Sequence, residues 1–211
     1  SPYQYLEDLK GERYDGYLAS VCEEYSKPGF SAEGMSCPEV ITEAPYCAGE
    51  TNPEIVCSRM ASVKYCGTET AVEVEQTEED CYVYDFGKQI TGISRITLHG
   101  DLDQEVKIRY GEKKETMCQT DEVLMGDVEM TFSPKFMIRK FRYVEICGVD
   151  IAPELAEVEA VQLSNITEVT GTFHCDDELV NHLAEAVGRH MQGGYIGVPT
   201  VCPQGESGRL W

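Results

Sequence analysis

Short runs in which apolar and polar residues alternate occupy most of the chain between residues 55 and 163. A period of two directs successive side chains to opposite faces of an extended strand, so that one face can be buried. The clearest runs cover residues 71–75, 82–86, 106–110 and 128–132, and a first strand is expected at 55–64. Glycines fall between these runs or at their ends. Short strands separated by regular turns predict an antiparallel β-sandwich.

A helical periodicity begins after Gly171. Asp176 or Asp177 can cap the first turn, and Glu178 suits the positive end of the helix dipole. An apolar stripe then recurs at helical spacing and consists of Leu179, Val180, Leu183, Val187 and Met191. We predict one main helix near residues 177–191, whose apolar stripe needs a partner. We expect residues 171–211 to fold back on the sandwich or to pack against a second copy as a homodimer.

The first 54 residues show neither period, although they include Tyr3, Tyr5, Tyr14, Tyr17 and Tyr25. Prolines and glycines divide the segment into turns and extended chain. Tyrosine rings bury too much area to be left in a free linker. We therefore expect irregular chain docked on a neighbour, or the tail of an upstream β domain.

The charge balance is strongly acidic, with 17 Lys and Arg against 38 Asp and Glu and a formal net charge of −21. Such a chain repels phosphate backbones and anionic lipid headgroups, so we expect neither nucleic acid nor membrane as a partner. The charge suits a neutral ligand such as a sugar without pointing to one. Acidity also serves solubility alone.

Ten cysteines are scattered through the chain, and no pair has the CxxC spacing of zinc or thioredoxin-like sites. Cys81 and Cys147 fall in apolar strand-like runs, where a thiol acts as a small buried hydrophobe. The histidines form no HxxxH pattern, and the acidic turns lack EF-hand spacing. We expect reduced thiols, no metal, no cofactor, and a cytoplasmic rather than secreted location.

The candidate catalytic side chains lie at residues 195–211, which read YIGVPTVCPQGESGRLW. The segment follows the predicted helix and ends in a carboxylate, Glu206, and the single tryptophan, Trp211. Glycoside hydrolysis uses two carboxyl groups, one to protonate the leaving oxygen and one to activate water. An indole ring suits the C–H face of a sugar. An exposed carboxylate in a frayed terminus is the alternative.

Five segments, in order, resemble the α-L-rhamnosidases of glycoside hydrolase family 78. They are CYVYDFGKQITGISRITLHG at 81–100, VKIRYGE at 106–112, SPKFMIRKFRYVEICG at 133–148, VTGTFHCDDELVNHL at 169–183, and the segment at 195–211. The last is similar to a PTDCPQR-E-R-GW pattern that lines the family's sugar pocket. The resemblance covers roughly residues 52–211 and faintly 11–19. Val201 and Gly205 stand where the family has an acid and an arginine.

The resemblance implies three parts. Residues 1–54 are an N-terminal segment, 55–170 a jelly-roll or concanavalin-like sandwich, and 171–211 the first helix and pocket segment of an (α/α)-barrel. The implied reaction is inverting hydrolysis of terminal α-L-rhamnosides. Glu206 matches the general acid when the segment is aligned from Cys202, and Ser207 takes that position when it is aligned from Trp211. Trp211 matches the aromatic platform under the sugar.

The family's general base lies beyond the matched part of the chain. We therefore expect a fragment that does not turn over rhamnosides by itself, whereas its parent acts on a rhamnoside-type glycan. A non-catalytic carbohydrate-binding or structural sandwich is the alternative. An exposed coplanar pair of aromatic rings would favour a carbohydrate-binding face, and its absence would favour a spacer.

Overall fold

The computed structural model describes residues 2–7, 10–23, 27–31, 60–166 and 168–199, together with residues 25, 33, 36 and 57. The strands are β1 (Tyr3–Glu7), β2 (Gly11–Asp15), β3 (Lys64–Thr70), β4 (Glu73–Glu78), β5 (Cys81–His99), β6 (Glu105–Lys113), β7 (Thr116–Leu124), β8 (Glu129–Phe132), β9 (Arg139–Cys147), β10 (Val158–Ser164), β11 (Tyr195–Ile196) and β12 (Val198–Pro199). The helices are α1 (Gly16–Glu23) and α2 (Glu178–Gly193). The predicted mainly-β fold with a helix near the C-terminus is confirmed.

Strand β5 is the longest strand and pairs with four others. Its first half pairs with β4 and β9, and its second half pairs with β10 and β8. The register against β9 shifts between Asp85 and Ile90, and Gly87 has a φ of 70° in that interval. A glycine accepts this left-handed conformation without the penalty that a Cβ would bring. Strand order runs β1-β2-β7-β6-β9-β5-β10-β3.

The core lies between the inward faces of these strands. Burial alternates along the first six residues of β6, as its period of two predicts, with Val106, Ile108 and Tyr110 buried and Glu105, Lys107 and Arg109 exposed. Phe141 packs edge-on against Phe86 and Tyr110, with ring centroids 5.7 and 5.4 Å away. Each such apolar side chain contributes about 1.5–3 kcal/mol on burial. Among the described residues, neither helix has the length and apolar character that would let it cross a membrane.

Residues 3–7 and 11–23 form two strands and a helix rather than the irregular chain expected from the sequence, and the alternative, the tail of an upstream β domain, stays a prediction. Strand β2 pairs with β1 and also with β7, and the β2–β7 pair is parallel within an otherwise antiparallel framework. The sequence shows no apolar alternation there because the residues that β2 buries include the polar Glu12 and Asp15, which are 0% and 7% exposed. Of the strand expected at 55–64, residues 55, 56, 58 and 59 lie outside the described residues, residues 60–63 are not in a strand, and β3 begins at Lys64.

Cys81 and Cys147 form a disulfide, so the expectation of reduced thiols is wrong for this pair. The two residues face each other across β5 and β9, with Cα atoms 4.1 Å apart. Directly opposed residues in an antiparallel ladder come this close where they do not exchange hydrogen bonds. A separation of 66 residues hides the pairing from the sequence. Free thiols in the described part include Cys22, Cys57, Cys66, Cys118 and Cys175.

Candidate functional site

Glu206 and Trp211, the predicted acid and sugar platform, lie outside the described residues, as do Val201, Gly205 and Ser207. The structure therefore bears on what supports the predicted pocket segment. That support consists of helix α2, the hairpin of β11 and β12, and the end of strand β10.

Two neighbouring residues, Ser164 and Asn165, join the sandwich to the C-terminal segment, and we call them the clamp. The Ser164 hydroxyl is 2.6 Å from the Gln192 carbonyl and 3.2 Å from the Tyr195 carbonyl, both of which can accept its proton. It also accepts a bond from the Ile166 amide at 3.0 Å. Ser164 is only 2% exposed. The clamp thus fixes the end of α2 at the end of β10.

Asn165 extends this connection to the hairpin. Its backbone N–H donates to the Tyr195 carbonyl at 2.9 Å, and its side-chain amide donates to the Gly197 carbonyl at 3.3 Å. The left-handed φ of 82° at Gly197 makes the tight turn between β11 and β12. The chain therefore enters the predicted pocket segment from a position that the sandwich fixes.

Helix α2 begins after the predicted cap, Asp177, and ends at Gly193, two residues beyond the predicted end. The Asp177 carboxylate accepts bonds from the amides of Leu179 and Val180, at 2.9 and 3.3 Å. At the other end, the Gly194 N–H donates to the carbonyls of His190 and Met191. A Cβ on Gly193 would lie 2.4 Å from the Thr91 hydroxyl oxygen, so a glycine is needed where the helix meets β5.

The apolar stripe of α2 does not fold back on the described part of the sandwich. Leu179 is 77% exposed, Leu183 63% and Val187 53%. Only the C-terminal end of the helix touches β5 and β10, through Gly193 and the clamp. Folding back was one of two expected covers for the stripe, and a second copy stays a prediction.

A groove of about 600 Å³ lies between the last turns of α2 and strands β5, β9 and β10. Its polar lining includes Lys88, Lys140, Arg189 and His190, with amide and hydroxyl groups from Gln89, Gln162 and Thr91. None of the described residues that line it is Asp or Glu.

A buried charged network pins the N-terminal segment to the sandwich. Arg139 and Asp121 form an ion pair with side chains 1% and 0% exposed. Asp121 also accepts bonds from the Glu12 amide and the Tyr110 hydroxyl, both at 2.9 Å. The guanidinium lies over the Tyr110 ring, 4.3 Å from its centroid.

Burial raises the pKa of Asp121, while Arg139 and the other donors act in the opposite direction. The Glu12 carboxylate in turn accepts bonds from the amides of Lys135 and Phe136, at 3.0 and 2.7 Å. These bonds attach β2 to β7 and to the segment before β9, whereas Nε and Nη1 of Arg139 are buried without a hydrogen-bond partner among the described residues. We assign the network a structural role.

The acidic groups near the surface give little support to a metal site. Glu78, Asp80 and Cys81 have ligand atoms within 4.8 Å of one another, but the Cys81 sulfur is held in the disulfide. His99 bonds Glu157 at 2.7 Å, and this bond raises the pKa of His99 and lowers that of Glu157. The other ring nitrogen, Nδ1, lies 3.8 Å from a Glu129 carboxylate oxygen, so the imidazole stands between two carboxylates. Among the described residues the three ligand atoms do not converge there as a metal requires.

Exposed aromatic rings that contact another ring meet it at steep angles. Phe136, 58% exposed, meets Tyr3 edge-on at 82°, and Tyr25 meets Phe30 at 62°. The alternative of a carbohydrate-binding or structural sandwich stays a prediction.

Comparison with known proteins identifies relatives along the whole chain. Residues 75–164 match the family described as bacterial alpha-L-rhamnosidase concanavalin-like domain. The alpha-L-rhamnosidase of Alteromonas sp. (strain LOR) is 26% identical over 227 aligned residues, which span 100% of this chain and 23% of that protein.

Two solved structures are similar in fold. The alpha-L-rhamnosidase of Streptomyces avermitilis, complexed with L-rhamnose, superimposes with a TM-score of 0.82 at 22% identity, covering 95% of this chain and 20% of its own. The native enzyme of Aspergillus terreus gives a TM-score of 0.73 at 25% identity, covering 96% of this chain and 24% of its own. The resemblance drawn from the motifs is confirmed. The chain spans about a fifth to a quarter of the length of these relatives.

Proposed function

Because the chain is similar to α-L-rhamnosidases along nearly its whole length, we propose that it is the sandwich and the first catalytic-domain segment of a rhamnosidase-like glycoside hydrolase. Its parent hydrolyses terminal α-L-rhamnosides with inversion, and no cofactor takes part. The substrate is a rhamnoside-type glycan. The concanavalin-like match over residues 75–164 is the observation that carries the proposal.

In this proposal Glu206 is the general acid and Trp211 supports the sugar ring. An acid in this role donates its proton to the leaving oxygen, while a second carboxylate activates water on the opposite face. By resemblance the second carboxylate lies beyond the matched segment. The 211 residues by themselves are therefore not expected to turn over rhamnosides.

The sandwich has a mechanical role in the same proposal. Glycosidic bond cleavage requires the acid to be held within hydrogen-bond reach of the leaving oxygen. The clamp ties α2 and the Tyr195–Gly197 turn to β10, and this turn lies nine to eleven residues before Glu206 in the printed sequence. We propose that the sandwich sets the entry direction of the segment that carries the acid.

The decisive experiment assays an aryl α-L-rhamnoside with the complete gene product and with the 211 residues alone. Glu206→Gln in the complete product should lower kcat by about 100- to 10,000-fold, the usual contribution of a general acid. Ser207→Ala is the matched control, since the alternative alignment places the acid position there. Unchanged activity in Glu206→Gln, or turnover by the 211 residues alone, would refute the assignment.

A further inference from the structure

The groove beside α2 has a charge opposite to that of the chain. Asp and Glu make up 38 of the 211 residues, yet none of the described residues that line the groove is acidic. Lys88, Lys140 and Arg189 place three cationic groups there, and His190 adds an imidazole. A chain of net charge −21 repels anions at long range, so any anion bound here is held by these local groups.

The cations in the groove are only partly neutralised. Lys88 pairs with Glu69 at 2.8 Å, and Arg189 is 3.7 Å from Glu185. Lys140 has no carboxylate partner among the described residues. It lies opposite Thr91 in the β5–β9 ladder, so its ammonium group and the Thr91 hydroxyl belong to adjacent positions on one surface.

The C-terminal end of α2, which closes the groove, does not add a partial negative charge that would repel an anion. A helix C-terminus is partly negative because its last carbonyls lack partners. In α2 the Gly194 amide donates to the carbonyls of His190 and Met191, and the Ser164 hydroxyl donates to that of Gln192. The carbonyls nearest to the cationic groups are therefore already satisfied.

We propose that this groove binds a carboxylate carried by a sugar, that is, an acidic saccharide of one or two rings. The cationic groups would hold the carboxylate, and Gln89, Gln162 and Thr91 match ring hydroxyls as donors and acceptors. Val187 and Met191 supply an apolar wall for a ring face. A volume of about 600 Å³ suits a ligand of this size. The sugar class rests on the proposed glycosidase function, whereas the carboxylate rests on the groove alone.

Calorimetric titration of the 211-residue chain with sodium glucuronate tests this proposal, with glucose and acetate as comparison ligands. Glucuronate should bind about tenfold or more tightly than either, because neither comparison ligand offers both the carboxylate and the hydroxyls. Lys140→Gln should weaken glucuronate binding by about tenfold, as for loss of one charge-assisted hydrogen bond, and Lys140→Arg should retain most of it.

Lys107→Gln is the matched control, because Lys107 is an exposed strand lysine outside the groove and the change in net charge is the same. Equal losses in Lys107→Gln and Lys140→Gln, or equal binding of glucose and glucuronate, would overturn the proposal. Acetate binding as tightly as glucuronate would overturn it in favour of a simple carboxylate site. These results are independent of the hydrolysis assay, which reports on Glu206 and not on the groove.

Discussion

The segments that precede and follow the strand region are attached to it in opposite ways. The N-terminal segment joins the sheet through β2 and is held by the buried network of Glu12, Asp121 and Arg139. The C-terminal segment touches the sandwich at one end of α2 through neutral hydrogen bonds, and its apolar stripe faces outward. The N-terminal segment is part of the domain core. The C-terminal segment is attached at one end only, and we call it the arm. The stabilities of the two attachments should differ accordingly.

The largest effect on stability is expected from a substitution that breaks the N-terminal attachment. Arg139→Met leaves the Asp121 carboxylate buried without its cation, and losing one member of a buried pair costs about 3–5 kcal/mol. Urea denaturation should show this loss in the free energy of unfolding.

Arg95→Met provides the matched control, since the Arg95–Glu159 pair is exposed and such pairs contribute about 0–1 kcal/mol. If both variants lost the same free energy of unfolding, the buried network would contribute no more to stability than a surface ion pair does. The contrast between the two attachments would then fail.

The same network explains which strands the sequence could predict. Strand β6 was evident because its inward positions are Val106, Ile108 and Tyr110. Strands β2 and β7 were not, because their inward positions include Glu12, Gln119 and Asp121. A periodicity test detects apolar alternation, and a strand that buries charge is invisible to it.

Helix α2 and its Asp177 cap could be predicted because capping and helical spacing are local signals. The clamp could not, because Ser164 and Asn165 bond backbone carbonyls about 30 residues away and no pattern of residue types encodes such contacts. Glu206 and Trp211 came from resemblance alone and stay predictions.

Cutting the clamp should have a smaller and more local effect. Ser164→Ala removes a buried hydroxyl and leaves the Gln192 carbonyl without its donor, at a cost of about 1–3 kcal/mol. Hydrogen exchange followed by mass spectrometry should accelerate at residues 192–197 and stay unchanged in β6 and β9.

Ser133→Ala is the control, because Ser133 also donates to a backbone carbonyl, that of Ser94, but lies far along the chain from α2. Faster exchange throughout the sandwich in Ser164→Ala would show that the C-terminal segment is part of the core and not an arm attached at one end.

The exposed apolar stripe of α2 predicts that the chain associates with itself. We propose that a second copy covers it. The double substitution Leu183→Glu with Val187→Glu should then weaken dimerisation by about tenfold or more, since burying each such side chain contributes about 1.5–3 kcal/mol. Light scattering over a concentration series measures this change.

Leu102→Glu with Ile151→Glu makes the same chemical change at residues 63% and 66% exposed on the sandwich, and it should leave association unaltered. A chain that is monomeric at all concentrations would remove the second copy as the cover of the stripe. A large loss of stability in the α2 double variant would instead indicate intramolecular packing, and the comparison between core and arm would need revision.

The smallest effect concerns the His99–Glu157 pair, which links the end of β5 to the turn before β10 and belongs to neither attachment. The bond to Glu157 raises the pKa of His99 above its ordinary value of 6.5, and the same bond lowers the pKa of Glu157 below 4.5. Stabilisation from His99 is complete below its unfolded pKa and is lost as pH rises through the folded one. Stabilisation from Glu157 is complete above its unfolded pKa and is lost as pH falls through the folded one.

The pair should therefore contribute most between the two ordinary values, 4.5 and 6.5. Its side chains are 29% and 27% exposed, so the contribution should be below about 1 kcal/mol. The difference in unfolding free energy between the unsubstituted 211-residue chain and His99→Gln, measured from pH 4 to 8, should peak inside that window and decline on both sides. His182→Gln, at an exposed position on α2, should give a flat difference. A difference for His99→Gln that is equally flat would mean that the bond contributes nothing to the stability of the folded state.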